Sequence, residues 1–141
     1  MNNVAIFGGC GFIGLYLAEE LVNLNLYGKI YLIDIHEPKD NFCKEKYQNL
    51  LKTKKIFFLR RDVRKNLNDI NIEEEINLIF NFAAIHREPG HLPTEYFETN
   101  IKGAENVCNF ADKFNCKNII FTSSIAVYGM GDHEKNEDTP P

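Results

Sequence analysis

The chain has 141 residues, and from this length we expect one domain with a sizeable core. Its formal net charge is −4 and its sequence pI is near 5.6. It contains neither a basic run nor a basic face, which argues against nucleic acid or a membrane surface as its partner. Asn2 and Asn3 lead directly into an apolar stretch, and we expect neither a secretory leader nor a membrane span.

The four cysteines predict a reducing compartment. They are Cys10, Cys43, Cys108 and Cys116, and they form no C-x-x-C pair and have no histidine at ligand spacing. We therefore expect free thiols in a cytoplasmic protein, with no disulfide framework and no metal site. Cys10 is either a reactive thiol or simply a small residue at a variable position of the motif described next.

The chain opens with an apolar strand over residues 4–7, a glycine-rich turn and a helix over residues 12–26. The turn carries G-x-x-G-x-x-G and G-x-G-x-x-G spacings on Gly8, Gly9, Gly11 and Gly14. Glycines let the chain turn tightly and let backbone N–H groups approach a pyrophosphate, whose charge the start of a helix favours. The sequence therefore predicts a dinucleotide-binding turn, with a glycine turn that binds nothing as the alternative.

The first helix is expected to bury one face against a sheet. The apolar residues that recur at helical spacing are Ile13, Leu17, Leu21 and Leu24. Gly28 follows and fits a C-terminal stop.

The second strand, residues 30–34, ends in Asp34, twenty residues beyond Gly14. A carboxylate at the carboxyl end of a strand can accept hydrogen bonds from both hydroxyls of an adenosine ribose, and it would repel a 2′-phosphate. Ile35 and His36 follow, rather than arginine or lysine, which favours NAD over NADP. An ordinary strand-end acid in a turn is the alternative interpretation.

Further short strands and helices alternate along the chain, which predicts βαβ units and a parallel sheet. A helix is expected over residues 42–51, a strand over 56–59, and a short helix or turn over 65–75. After the third strand, Asp62 is placed to accept a hydrogen bond from an adenine amino group, with Val63 packed on the ring. A charged turn explains this local pattern nearly as well.

The fourth strand, residues 76–82, runs into the small residues Ala83 and Ala84, against which a cofactor can lie. The loop that follows is polar. It contains His86, Arg87 and His91, which either meet an anionic substrate or are exposed turn residues.

The longest helix is predicted over residues 93–114 and carries two stripes at helical spacing. The first stripe is Phe97, Ile101, Ala104, Cys108 and Ala111, and the second is Tyr96, Asn100, Gly103, Val107, Phe110 and Phe114. One stripe can cover the sheet, and we expect the second stripe to be covered by another copy of the chain. Asn100 lies among apolar residues and needs a hydrogen-bond partner.

The fifth strand is predicted over residues 118–122, and hydroxyls follow it at Ser123 and Ser124. At the carboxyl end of a central strand, these side chains would face the nicotinamide end of a bound dinucleotide.

The chain resembles the extended short-chain dehydrogenase/reductase family, and in particular its NAD-dependent nucleotide-sugar epimerases and dehydratases. The segments that carry the resemblance are residues 8–14, Asp34, Asp62 with Val63, residues 81–84, residues 96–107 and residues 123–129. The resemblance implies a three-layer Rossmann fold, with a doubly wound parallel sheet of strand order 3-2-1-4-5, over residues 1–141.

The resemblance also implies the site. The cofactor-binding set would be Gly8, Gly11, Phe12, Ile13, Gly14, Asp34, Asp62, Val63, Phe82, Ala83, Ala84, Asn100 and Ser123, with NAD as the cofactor. Ser124 would be catalytic and hydrogen-bond the sugar hydroxyl that is oxidised. The hydride chemistry belongs to the cofactor, and the protein places the base and the charges.

The family's base is a Tyr-x-x-x-Lys pair, and no tyrosine of this chain has a lysine four residues on. The chain is therefore interpreted as the N-terminal, cofactor-binding part of an epimerase-like enzyme, inactive by itself and without the substrate domain. A dehydratase or reductase of the same family and a non-catalytic NAD-binding module are the alternatives. A nucleotide-sugar is the expected substrate of the longer protein.

Overall fold

A computed structural model describes residues 2–38, 41–86, 90–129 and 134–140, with only the backbone described at positions 41 and 42. Within these ranges, five strands form one parallel sheet of order β3-β2-β1-β4-β5. The strands are β1 (Val4–Phe7), β2 (Ile30–Asp34), β3 (Ile56–Arg60), β4 (Leu78–Asn81) and β5 (Ile119–Phe121). The predicted fold class and strand order are confirmed.

The register of the sheet brings the ends of its three middle strands side by side. Phe7, the last residue of β1, pairs with Ile33 on one side and with Asn81 on the other. The chain adds β2 and β3 on one side of β1 and then β4 and β5 on the other, so a switch point lies between β1 and β4 and opens a crevice at the carboxyl ends of the strands.

Helices cover both faces of the sheet. They are α1 (Phe12–Leu24), α2 (Asn41–Leu51), α3 (Pro93–Tyr96) and α4 (Gly103–Lys113), with a π-helical segment (Phe97–Lys102) between α3 and α4 and a 3₁₀ turn at Ile125–Tyr128. Successive strand residues alternate between two apolar cores: Val4 and Ile6 pack with α1, whereas Ala5 and Phe7 pack with α4. No helix in the described ranges is long and apolar enough to cross a membrane.

The buried face of α1 differs from the predicted one. Ile13 and Leu24 are exposed, whereas Gly14, Leu15 and Ala18 are buried together with Leu21. Close approach sets this rotation, because a Cβ at Gly14 would lie 2.7 Å from backbone atoms of Gly9. The face of α1 that carries Gly14 must therefore turn toward the glycine turn and the sheet.

The end of α1 also differs from the prediction, which placed the stop at Gly28. The helix ends at Leu24, and Asn25 adopts a left-handed conformation with φ of 52° while its N–H donates to the Val22 carbonyl. Asparagine tolerates this conformation better than most side chains, so it serves where glycine was expected. Between β3 and β4, the turn alternative is correct: residues 65–75 contain turns in place of a helix.

The two stripes of the long helix have exchanged their predicted environments. In the second stripe, Val107 and Phe110 are fully buried, and the Phe110 ring meets the Phe7 ring edge-on at 5.2 Å. In the first stripe, Phe97 is 62% exposed and Ile101 is 52% exposed. The prediction that a second copy must cover the second stripe is therefore wrong, because the sheet of the same chain covers it.

Candidate functional site

A cleft of about 680 Å³ lies at the carboxyl edge of the sheet. It brings together most of the residues predicted to bind the cofactor: Gly8, Gly11, Phe12, Ile13, Gly14, Asp34, Asp62, Val63, Phe82, Ala83 and Ala84. Asn100, Ser123 and Ser124 do not line it. The predicted set thus divides into a cleft group and three residues outside.

The glycine turn forms the floor of the cleft and has no room for a side chain at Gly8. Gly8 has φ of +72°, and a Cβ there would lie 2.8 Å from the backbone nitrogen of Ala83. Gly11 is the N-cap of α1, and no side chain among the described residues caps this helix start. The first N–H groups of a helix have no partner inside it, so this turn offers hydrogen-bond donors and positive potential to an anionic group.

Asp34 lies at the end of β2 beside the glycine turn and is partly buried. Its Oδ2 accepts from the N–H of Cys10 at 3.0 Å, and its Oδ1 accepts from the N–H of Ile35 at 2.7 Å. A carboxylate has about four acceptor positions, so each oxygen keeps one for a further donor. Two donors on neighbouring carbons, such as the hydroxyls of a ribose, match this arrangement.

Cys10 is a packing residue. Its side chain is buried in the core between α1 and the sheet. Burial, with the nearby charges of Asp34 and Glu37 as smaller causes, raises the pKa of the thiol to about 12. Thiolate is the reactive form of cysteine, so this environment suppresses the reactivity of Cys10. It favours the interpretation of Cys10 as a small residue at a variable position of the motif.

Asp62 and Val63 line the far end of the cleft, in the turn after β3. The Arg64 side chain binds the Asp62 carboxylate through Nε and Nη2, at 2.9 Å to Oδ1 and 2.7 Å to Oδ2. This hydrogen bonding lowers the pKa of Asp62, against an opposing effect of burial. The carboxyl group is therefore ionised at neutral pH and acts as an acceptor.

Asn100 finds its partner in the loop after β4. Its Oδ1 accepts from the N–H of Ile85 at 2.8 Å, and its Nδ2 donates to the carbonyl of the same residue at 2.9 Å. Asn100 lies in the π-helical segment, a rare geometry that is frequent at functional sites. It clamps the loop that continues from Ala83 and Ala84, so it shapes one wall of the cleft from behind.

Ser124 begins the 3₁₀ turn after β5. Its Oγ accepts from the N–H of Ala126 at 3.1 Å, which is an N-cap bond. With one acceptor position of the hydroxyl used in this way, its hydrogen can still be donated outward. Ser123 and Ser124 are exposed.

The cleft also contains residues that the sequence patterns did not indicate. They are His36, Arg61, Arg64, Glu95 and Thr99. The Thr99 hydroxyl oxygen is buried and has no hydrogen-bond partner among the described residues, as expected of a group that faces a ligand. Arg61 directly follows β3, which pairs with β2, so knowledge of the strand order could have placed it near Asp34.

The loop histidines His86 and His91 both line the cleft and are exposed, so they meet the cleft and the solvent at once. Arg87 lies outside the described residues. Within the described part of the chain, no cluster of histidine, cysteine, aspartate and glutamate could hold a metal ion.

Several known proteins are similar to this chain over most of its length. The model of the 3-beta hydroxysteroid dehydrogenase/isomerase family matches residues 5–139. The bifunctional protein GAL10 of Candida maltosa is 29% identical over 88% of this chain and 82% of its own length. The UDP-glucose 4-epimerase of Bacillus subtilis is 27% identical over 90% of this chain, which covers 38% of the relative.

Among solved structures, a UDP-glucose 4-epimerase from Bifidobacterium longum in complex with NAD⁺ and UDP superposes with a TM-score of 0.81 and 27% identity. The match covers 99% of this chain and 42% of that one. The chain thus spans about two fifths of these epimerases. It belongs to the 3-beta hydroxysteroid dehydrogenase/isomerase family, and its resemblance to the NAD-dependent epimerases and dehydratases is confirmed.

Proposed function

We propose that this chain is the NAD-binding portion of a nucleotide-sugar 4-epimerase. The observation that carries the proposal is one cleft that joins a glycine turn, closed to any Cβ at Gly8, with the two open acceptor positions of Asp34. The first element suits a pyrophosphate and the second suits a ribose diol. The names of the similar proteins supply the reaction class.

In this proposal, each end of the dinucleotide has its own residues. Gly8, Gly11 and Gly14, with the backbone of Phe12 and Ile13, hold the pyrophosphate, and Asp34 accepts from the adenosine ribose. Asp62 and Val63 hold the adenine, while Phe82, Ala83 and Ala84 lie along the cofactor. When bound, NAD⁺ would accept the hydride that leaves the sugar carbon.

The remaining residues of the predicted set act beside the cofactor. Asn100 positions the loop at Ile85, and this contact supports a role in ordering the wall of the cleft beside the cofactor. Ser123 stays a proposed cofactor contact. Ser124 donates its hydroxyl hydrogen to the oxygen of the sugar 4-hydroxyl, a role supported by the acceptor bond that its Oγ already makes to Ala126.

Titration calorimetry tests the binding proposal. We expect saturable binding of one NAD per chain and weaker binding of NADP, whose 2′-phosphate would approach the Asp34 carboxylate. No detectable binding of NAD would contradict the proposal. Binding of NADP as tight as that of NAD would contradict the ribose role of Asp34, because a carboxylate that accepts from the ribose hydroxyls would repel the 2′-phosphate.

Catalysis is expected to need more than these 141 residues, because no Tyr-x-x-x-Lys pair occurs in them. We therefore expect that the chain, supplied with NAD, does not convert UDP-glucose to UDP-galactose. Chromatography of the reaction products measures the conversion. Conversion would contradict this expectation. A Tyr-x-x-x-Lys pair further along the same reading frame would support the enzyme over a non-catalytic NAD-binding module.

A dehydrogenase or dehydratase of the same family is the second candidate. The matching family, that of the 3-beta hydroxysteroid dehydrogenase/isomerases, favours the dehydrogenase. Net reduction of NAD by a longer protein that includes this chain would support the dehydrogenase, whereas epimerisation without net reduction would support the first proposal. The cytoplasmic location expected from the cysteines stays a prediction.

Assembly of two copies through the long helix also stays a proposal. The proposed contact is now the first stripe of this helix, in place of the second. The apolar side chains of Phe97 and Ile101 are exposed, and exposed apolar patches favour association. Sedimentation at high concentration tests it, with Phe97→Ser as the variant expected to shift the equilibrium toward monomer. Identical sedimentation of a monomeric wild type and this variant would contradict it.

A further inference from the structure

Arg64 contacts a predicted cofactor-binding side chain directly. Its Nε and Nη2 form a fork on the two oxygens of Asp62, and its backbone N–H donates to Oδ1 at 3.0 Å. The Asp62 side chain is 19% exposed, and both residues line the cleft. A two-point fork fixes the plane of a carboxylate as well as its position.

The fork leaves the Asp62 carboxylate with little acceptor capacity. Oδ1 receives two donors, the Nε and the backbone N–H of Arg64, while Oδ2 receives Nη2, with Nε more distant at 3.1 Å. Of about four acceptor positions on a carboxylate, one on Oδ2 therefore remains for a ligand. The group that completes it must donate a hydrogen.

The turn that carries Asp62 is also held from the helix side. The Nδ2 of Asn106 donates to the Val63 carbonyl at 2.7 Å, and a Cβ at Gly103 would lie 2.8 Å from Val63 Cγ2. The backbone N–H of Lys65 donates to the Asp62 carbonyl at 3.0 Å. Since the backbone is held in this way, rotation of the carboxylate is the main freedom left, and the Arg64 fork removes it.

The groups around Arg64 support this arrangement. The carboxylates of Glu98 and Glu95, on the long helix, act on its guanidinium in addition to Asp62. Glu95 lines the same cleft. These two negative charges add to the field at Arg64, whose side-chain hydrogen bonds within the described part of the chain all go to Asp62.

We propose that Arg64 is a positioning residue that orients Asp62 to read the purine 6-position, so that the cleft selects a 6-amino purine over a 6-oxo purine. The proposal rests on the proposed function, because it takes the adenine of NAD as the ligand at this end. An amino group donates to the open position on Oδ2. A 6-oxo group presents an acceptor to an acceptor, so the open position on Oδ2 receives no hydrogen from the 6-position.

Calorimetry with NAD and with nicotinamide hypoxanthine dinucleotide tests the proposal, because the two ligands differ in the purine base, with the 6-amino group of adenine replaced by a 6-oxo group. We expect the wild type to bind NAD about tenfold more tightly, the preference that a hydrogen bond to a charged acceptor provides. Arg64→Gln and Arg64→Lys should reduce the preference to about threefold or less, since lysine keeps the charge and loses the fork. Asp62→Asn should also reduce it.

Lys65→Gln is the matched control. Lys65 is the neighbouring cation and also lowers the pKa of Asp62 by its charge, but no side-chain bond joins it to that carboxylate among the described contacts. This variant should keep the tenfold preference. A carboxyl NMR titration provides a second readout, in which Arg64→Gln should raise the pKa of Asp62 toward its ordinary value.

The outcomes separate the two proposals. A full preference in both Arg64 variants overturns the positioning role, and so does an unchanged preference in Asp62→Asn or an unchanged pKa of Asp62 in Arg64→Gln. A loss of preference in Lys65→Gln equal to that in Arg64→Gln, with the preference kept in Arg64→Lys, would mean that charge alone acts, which also overturns it. A wild type that binds neither dinucleotide contradicts the proposed function instead.

Discussion

The two sides of the sheet's carboxyl edge are built very differently. On the side of β2 and β3, backbone and side-chain bonds hold both carboxylates: Asp34 is bound by two N–H groups, and Asp62 by Arg64. On the side of β5, Phe121 is 60% exposed and Ile125 is 82% exposed. Ser124 there bonds to its own turn.

This difference separates binding from chemistry. Groups that are held before a ligand arrives lose little entropy on binding, so the β2–β3 side is preorganised for a dinucleotide. Large apolar side chains in water favour burial against another surface. We therefore expect the chain to hold a cofactor by itself, whereas the orientation of groups near Ser124 depends on what packs against β5. Substitutions around the cleft test the first half of this comparison.

Gly14→Ala should have the largest effect. Its Cβ would lie 2.7 Å from the backbone of Gly9, where neither side can move easily. We expect a loss of about 2–3 kcal/mol in the free energy of unfolding, as for an overpacked core, together with loss of NAD binding. Urea unfolding and calorimetry measure the two effects.

Gly11→Ala is the control for this clash, because a Cβ at Gly11 would meet only the Gly8 carbonyl oxygen, at 3.3 Å. It should cost less than about 1 kcal/mol. Equal destabilisation by the two substitutions would contradict the close-approach argument.

Asp34→Asn should weaken NAD binding about 30-fold, because hydrogen bonds to a charged acceptor are replaced by bonds to a neutral amide whose NH₂ faces a backbone N–H. Calorimetry measures the affinity. Glu37→Gln removes a nearby exposed charge and should change it less than about twofold. Unchanged affinity in Asp34→Asn would exclude the ribose role.

Asn100→Ala should remove both bonds to Ile85 and lower the free energy of unfolding by about 1–2 kcal/mol. NAD affinity should fall by a few fold, since the loop from Ala83 loses its clamp. Asn109→Ala, on an exposed position of the same helix, should stay within about 0.5 kcal/mol of the wild type in denaturant titrations. Equal stability of the two variants would rule out the clamp.

The thiol of Cys10 should affect binding least. Only its backbone N–H meets Asp34, so Cys10→Ala should bind NAD within about twofold of the wild type. Because its pKa is raised to about 12, the thiol is protonated at pH 8 and becomes a thiolate only in strong alkali. Mass spectrometry after alkylation at pH 8 should find the exposed Cys108 modified before Cys10. Modification of Cys10 first would contradict the assignment.

Much of the fold and part of the site could be predicted because they depend on short spacings along the chain. The alternation of strands and helices, the strand–turn–helix around Gly8 and the position of Asp34 at a strand end all belong to this class. The buried face of α1 could not be predicted from apolar periodicity, because the contact between Gly14 and Gly9 sets the rotation of the helix. The exchanged stripes of the long helix have a related cause, since periodicity does not tell which of two apolar stripes meets the sheet.

Short spacings along the chain encode the glycine turn proposed to meet a pyrophosphate and the carboxylate that follows it, since both depend on local backbone geometry. Packing between distant segments determines which other groups join them. Arg61 and Thr99 enter the cleft from separate elements, and Arg64 locks Asp62 through a side-chain conformation. Strand register, helix rotation and side-chain conformation are set by packing between distant segments, and no local pattern encodes them.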